Sequence, residues 1–197
     1  YLNDDAYITL TYVKNLVSGN GFVFNHPPAV LGTTTPLFTL ATAGLALIFP
    51  QVSIPVVAVF FTAFCWMGTV WTLFFFRKAW QLESWQVGVL AWVLIGSGWI
   101  PFLGMEAYLF AFLLLLSVSL FLDDRYYVAG FGAGLLFLTR GEGVLVLSVL
   151  VIAALVSDWV ADKTLEIGLL RKPLNLTIGS AFPVLLWFVY AQFTFGS

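Results

Sequence analysis

Charge is what this sequence has least of. Asp, Glu, Lys and Arg make up 9% of its 197 residues, whereas 61% are hydrophobic. A soluble domain carries about 25% charged residues. Too few polar side chains remain to cover a water-facing surface, so lipid must do the covering. Cysteine is nearly missing: Cys65 stands alone, which excludes an intramolecular disulfide and a cysteine-based metal site. Histidine occurs once, as His26. The net charge is −2, no basic cluster exceeds a neighbouring pair, and no nucleic-acid partner is expected. Barrel strands alternate apolar and polar residues, and the apolar runs here do not. Backbone amides in hydrocarbon must be satisfied within the segment, which leaves helices. The expected fold class is therefore all-α, a polytopic transmembrane helical bundle. The chain begins at Tyr1 without a signal peptide and stops at Phe195-Gly196-Ser197 without a polar tail. It reads as a fragment, with a preceding transmembrane helix missing.

Residues 3–18 read as an amphipathic helix. Ala6, Leu10, Val13 and Val17 form one apolar stripe. Asn3 is placed to cap the start, Asp4 and Asp5 fall in the dipole-favoured first turn, and Gly19 and Gly21 end the helix. With two acids and a lysine it is too polar to span a membrane, and an interfacial position is expected. Residues 20–35 form a loop with His26, Pro27-Pro28, Gly32 and three threonines. A helix over 36–49 is stopped by Pro50 and covers roughly 21 Å at ~1.5 Å per residue, short of the ~30 Å hydrocarbon core. Clearer spans follow at 54–76, 85–103, 106–122, 126–140, 143–160 and 174–193. The fragment thus holds about six to seven membrane helices. Its organisation divides into a polar segment 1–35 and a bundle 36–197. Trp80, Trp85, Trp99, Tyr126 and Trp159 near span ends read as an aromatic belt.

Arg77-Lys78, Arg125 and the Lys163, Arg171, Lys172 group lie in alternate loops, which assigns those loops to the cytoplasm. The other side then receives Glu106, Arg140 and Glu142. The adjacent Asp4 and Asp5 repel each other unless something uses them. They fit a general base beside an acid that binds a metal or a phosphate-linked substrate, or simply a solvated helix start. Glu106, in Gly104-Met105-Glu106-Ala107, is a charge at a membrane boundary, where a functional role is the first expectation. An interfacial helix start is the bland alternative. Arg140 and Glu142 could pair with each other, or Arg140 could present its guanidinium to a phosphate. His26 fits a loop residue better than a ligand.

Together these pieces resemble the bacterial GT-C membrane glycosyltransferases, in particular the arabinofuranosyltransferase-like and mannosyltransferase-like branch that uses polyprenyl-phosphate sugars. The resemblance rests on Asp4-Asp5-Ala6-Tyr7-Ile8, Tyr12, Asn15, Gly19, Gly21 and Phe24-Asn25, then Gly32-Thr33-Thr34-Thr35-Pro36-Leu37. Gly104-Met105-Glu106, Leu109-Phe110, Leu138-Thr139-Arg140 and Glu142-Gly143 extend it, so that it covers nearly the whole chain. It implies that residues 1–35 are the first extracytoplasmic loop, that Asp4 is the catalytic base with Asp5 beside it, and that the anomeric centre is inverted. The leaving lipid phosphate would face Arg140 or a divalent cation, Mg or Mn, held by Asp5. Glu106, Glu142, Tyr7, Asn25 and His26 would complete substrate binding. The implied partners are a polyprenyl-phosphate sugar donor, a cell-envelope glycan, lipid or protein acceptor, and the bilayer of the bacterial inner membrane. Two positions depart from the pattern. Leu31 stands where many relatives carry Glu, and Thr11 where Arg is common; both weaken metal or phosphate binding on this loop. The competing readings are a transporter or lipid-linked-glycan flippase, whose ionisable groups would sit at mid-membrane, and a non-catalytic membrane subunit.

Overall fold

The computed structural model describes residues 2–25, 32–96, 102–162 and 170–196. His26, Pro27-Pro28, Leu31, Ser97-Gly98, Trp99 and Lys163 lie outside the described residues. Among those described there are eight α-helices and no strand. They are α1 (Asp4–Val17), α2 (Pro36–Ile48), α3 (Ile54–Phe75), α4 (Ser84–Gly96), α5 (Ala107–Leu122), α6 (Tyr126–Thr139), α7 (Gly143–Asp162) and α8 (Arg171–Phe195). The expected spans and these helices agree to within a few residues at most ends. The expected span 85–103 can be compared only over α4 and at Phe102 and Leu103, which lie outside any α-helix; residues 97–101 lie outside the described residues. Two helices, α3 and α8, are long and apolar enough to cross a bilayer. Among the described residues, α2, α4, α5, α6 and the Gly143–Ser157 part of α7 are shorter apolar helices.

Specific contacts set the direction of each helix. Gly104 N–H donates to Thr62 Oγ1 at 3.1 Å, Gly68 packs on the Phe112 ring, and Trp80 Nε1 donates to Ser119 Oγ at 2.8 Å. These three points in sequence order make α3 and α5 parallel. Gly132 meets Ser117, and Phe121 packs on Tyr126 with ring centroids 5.5 Å apart, so α6 returns antiparallel to α5. Gly130 meets Leu176, Gly134 meets Ser180, and Leu138 shares a cluster with Trp187, so α6 and α8 run parallel. Their approach is close enough that a Cβ on Gly130 would fall inside the Leu176 carbonyl, and one on Gly179 inside the Tyr127 carbonyl. Small residues let backbones meet in this way where no hydrophobic force distinguishes protein from lipid. α7 fills in beside them, with Leu150 and Ala154 packed among Ala129 and Leu176.

The surface of α3 reverses the soluble pattern. Phe60, Phe64, Met67 and Trp71 form an outward stripe, each more than half exposed. Thr62, Thr69 and Thr72 are buried and return their hydroxyls to the carbonyls of Ala58, Cys65 and Gly68. Leu145, Val149 and Ile152 on α7, and Leu185, Phe188 and Val189 on α8, are likewise exposed.

The short α2 does not traverse the bundle. Phe38 stacks on Phe61 at 5.6 Å, while Leu45 and Phe49 share a cavity with Val57 and Phe60. α2 is therefore antiparallel to the first turns of α3, and both project past the level of Thr62 and Gly104. α1 lies over the same end. Its first turn holds Asp4 and Asp5, and it closes with Gly19 N–H on Leu16 O and Asn20 N–H on Asn15 O, Gly19 taking φ +77°. Asn3 has the extended N-cap backbone, but its side chain makes no capping bond, in contrast to the expectation. The buried stripe is Ala6, Thr9, Leu10 and Val13, with Tyr12 beside it, and Val17 is only half-buried.

Candidate functional site

The covered end of the bundle is assembled from three turns. Leu2, just before α1, lies against Gly104, which has φ +80°; a Cβ there would stand 2.9 Å from Leu2 Cδ2. Thr62 holds the amide of Gly104 from the other side. This tight turn delivers Glu106 to the start of α5, opposite the turn between α6 and α7. There Arg140 Nη1 lies 3.4 Å from Glu106 Oε1, and Arg140 Nη2 lies 3.3 Å from Glu142 Oε1. Arg140 Nε donates to Glu142 Oε2 at 3.4 Å. The Glu106 side chain is 13% exposed, Arg140 45% and Glu142 60%.

The charges act on one another as expected. The Glu142 hydrogen bond raises the Arg140 guanidinium above its ordinary pKa. The backbone amide of Glu142 itself, and then Arg140, hold the Glu142 carboxyl below the usual glutamate range. Arg140 pairs with Glu142, as one of the two sequence alternatives has it, and it also bridges to Glu106 on a different helix pair.

α1 spans this end from one side to the other. Leu2 sits at the Glu106 turn, Leu10 packs in the cluster of Phe38, Tyr108 and Leu136, and Tyr12 reaches Leu138 and Trp187. The following loop is pinned back on the helix. Asn15 Nδ2 donates to the carbonyls of Val23 at 2.8 Å and Phe24 at 3.0 Å, and Gly32 N–H donates to Tyr12 Oη at 3.0 Å. Phe22 is wholly buried, with ring centroids 5.3 Å from Tyr12, 5.8 Å from Trp187 and 5.9 Å from Phe195. Tyr12, Asn15 and Gly19 therefore have a local structural reason to be where they are.

Asp4 and Asp5 are exposed at the α1 start, at the same end as Glu106 and Arg140. Tyr7 and Asn25 are exposed as well. Among the described residues, no hydrogen bond or ion pair ties these four to the Arg140 cluster. Thr62 and Leu2, which fix the Glu106 turn, were not singled out from sequence. Gly104 before a boundary acid was the available signal. The opposite end carries Arg77-Lys78, Asp123-Asp124-Arg125 and Arg171-Lys172, with Lys172 Nζ 5.4 Å from the Tyr126 ring centre.

Among the described residues no three or more His, Cys, Asp or Glu side chains gather as a metal site; His26 lies outside them. No protein-family model matches the chain, and neither curated proteins nor solved structures give a significant match.

Proposed function

We propose that the chain belongs to an inverting membrane glycosyltransferase that takes a sugar from a polyprenyl phosphate. In this reading the α1-covered end faces the extracytoplasmic side of a bacterial inner membrane. The support for orientation is the charge distribution: Arg77, Lys78, Arg125, Arg171 and Lys172 share the far end, as the positive-inside tendency favours. The support for a multi-pass bundle is the outward apolar stripe of α3, with its threonines turned in. The gathering of Asp4, Asp5, Glu106, Arg140 and Glu142 at one end of the bundle carries the functional reading.

The chemistry follows from the boundary. A prenyl tail stays in lipid while its sugar and phosphate meet water. Asp4 takes the proton of an acceptor hydroxyl. The freed oxygen attacks the anomeric carbon from the side opposite the phosphate, the carbon–oxygen bond to phosphate breaks, and the lipid phosphate leaves as an anion. Arg140 stands at the same end to face that developing charge. Charged residues do not interrupt α2 to α6, which favours this reading over a transporter with mid-membrane ionisable groups.

The test is Asp4→Asn in the full-length protein, assayed for transfer from a panel of radiolabelled prenyl-phosphate sugars. Transfer should be lost while the melting temperature stays put, because Asp4 is exposed. Normal turnover in this variant removes Asp4 as the base. Sugar-lipid movement across vesicles without transfer would favour the flippase.

A further inference from the structure

Arg140 turns three nitrogens to two carboxylates that differ sharply in how firmly they are held. Glu106 is 13% exposed, and the turn behind it is fixed by Thr62 and Leu2. Glu142 is 60% exposed and occupies the Nε and Nη2 edge of the guanidinium. All three separations, 3.3 to 3.4 Å, are longer than the ~2.7–2.9 Å of a tight guanidinium–carboxylate pair. One cation shared by two anions leaves the group with a net negative charge, a poor greeting for a phosphate. Glu142 also directly precedes α7, so its charge is favoured by that helix N-terminus whether or not it touches Arg140.

We infer that Glu142 is a displaceable counter-ion, and that a phosphate monoester takes its place on the Nε and Nη2 edge of Arg140 while Glu106 keeps hold of Nη1. The inference deepens the transferase reading and rests on it for the choice of ligand. Glu106 is then a positioning residue: it aims the guanidinium and does not itself touch the phosphate. Glu142, when displaced, moves into solvent and keeps its helix partner, so the exchange strands no buried charge.

The experiment measures equilibrium binding to the full-length protein in lipid nanodiscs, without turnover. The probes are radiolabelled farnesyl phosphate, inorganic phosphate, and farnesol as the uncharged control. Glu142→Gln removes the competitor and should tighten farnesyl phosphate about 1.5- to fivefold, the range set by one exposed ion pair. Farnesol should not respond. Tightening for farnesyl phosphate alone identifies a lipid headgroup as the ligand, and tightening for inorganic phosphate too identifies the phosphate itself. Arg140→Gln should lose the phosphate-dependent binding, and Glu142→Gln should then have no further effect in that background. Glu106→Gln should weaken binding, although it too removes a negative charge; its melting temperature is measured alongside, and Glu106→Asp should recover part of the affinity. Unchanged or weaker binding in Glu142→Gln overturns the inference. So does equal tightening in Glu106→Gln, which would mean that only net charge matters. A protein that binds in the expected pattern but transfers no sugar sinks the transferase reading and leaves the counter-ion role standing. Transfer with no response to Glu142→Gln does the reverse.

Discussion

Replacing Gly130 by alanine tests the helix packing most directly. In a helix interior Gly→Ala ordinarily stabilises by about 0.5–1 kcal/mol, because it lowers the entropy lost on folding. At Gly130 the new methyl would fall inside the backbone carbonyl of Leu176, which belongs to α8 and cannot swing aside as a side-chain tip can. α6 and α8 must therefore separate along a shared seam that also includes Gly134 and Gly179. A gap of ~0.5–1 Å forfeits a quarter to a half of each dispersion contact, and overpacking a tight interior costs about 1–3 kcal/mol. The net expectation is a loss of about 0.5–2.5 kcal/mol after the propensity gain, or roughly 1–10 °C at ~2–4 °C per kcal/mol for a chain of this size. Gly44→Ala in α2 and Gly88→Ala in α4 meet open space and serve as matched controls, expected to be neutral or slightly stabilising. Thermal unfolding of the four proteins in one detergent decides it. If Gly130→Ala melts with the controls, the α6–α8 approach described above is wrong.

Gly104→Ala should cost about 1–2 kcal/mol from its left-handed backbone and also press on Leu2; protease cleavage near the α1 start should accelerate relative to wild type. Asn15→Ala leaves the carbonyls of Val23 and Phe24 without their donor, a loss of about 1–3 kcal/mol, and hydrogen exchange over 21–25 should speed up while that of α6 is unchanged. The Glu142 carboxyl is held below its ordinary value, so its contribution to stability is present above the unfolded glutamate pKa of ~4.3 and disappears as the pH falls through the folded value. The melting difference between wild type and Glu142→Gln should therefore be constant near neutrality and close in acid; a difference that grows in acid would contradict the sign.

What could be read from the sequence was whatever depends on composition along a single element. The α1 stripe of Ala6, Leu10 and Val13, its paired first-turn acids and its Gly19 closure were legible because each is a local signal. The starts and stops of α3, α5, α6 and α8 were legible from loss of apolar character at Arg77, Asp123 and Arg171. That Phe38 lies on Phe61, and hence that α2 turns back along α3, could not be read at all, since nothing in either run names its partner. The glycines of α6 and α8 passed unnoticed for a similar reason: Gly130 and Gly179 matter through a neighbour far away in sequence. At the candidate site, Glu106, Arg140 and Glu142 were each suspected as boundary charges, but the fork of one guanidinium between two acids emerges only from the fold.

The embrace of Phe22 by Trp187 and Phe195 has a consequence for biogenesis. The ribosome makes Phe22 first and the two partners that bury it nearly at the close of this stretch. At ~5–20 residues per second that interval is roughly ten to thirty seconds. During it Phe22 lacks two of the three rings that bury it, so the loop after α1 settles only when α8 arrives, whereas Leu2 and Leu10 can seat α1 earlier on Gly104, Phe38 and Tyr108.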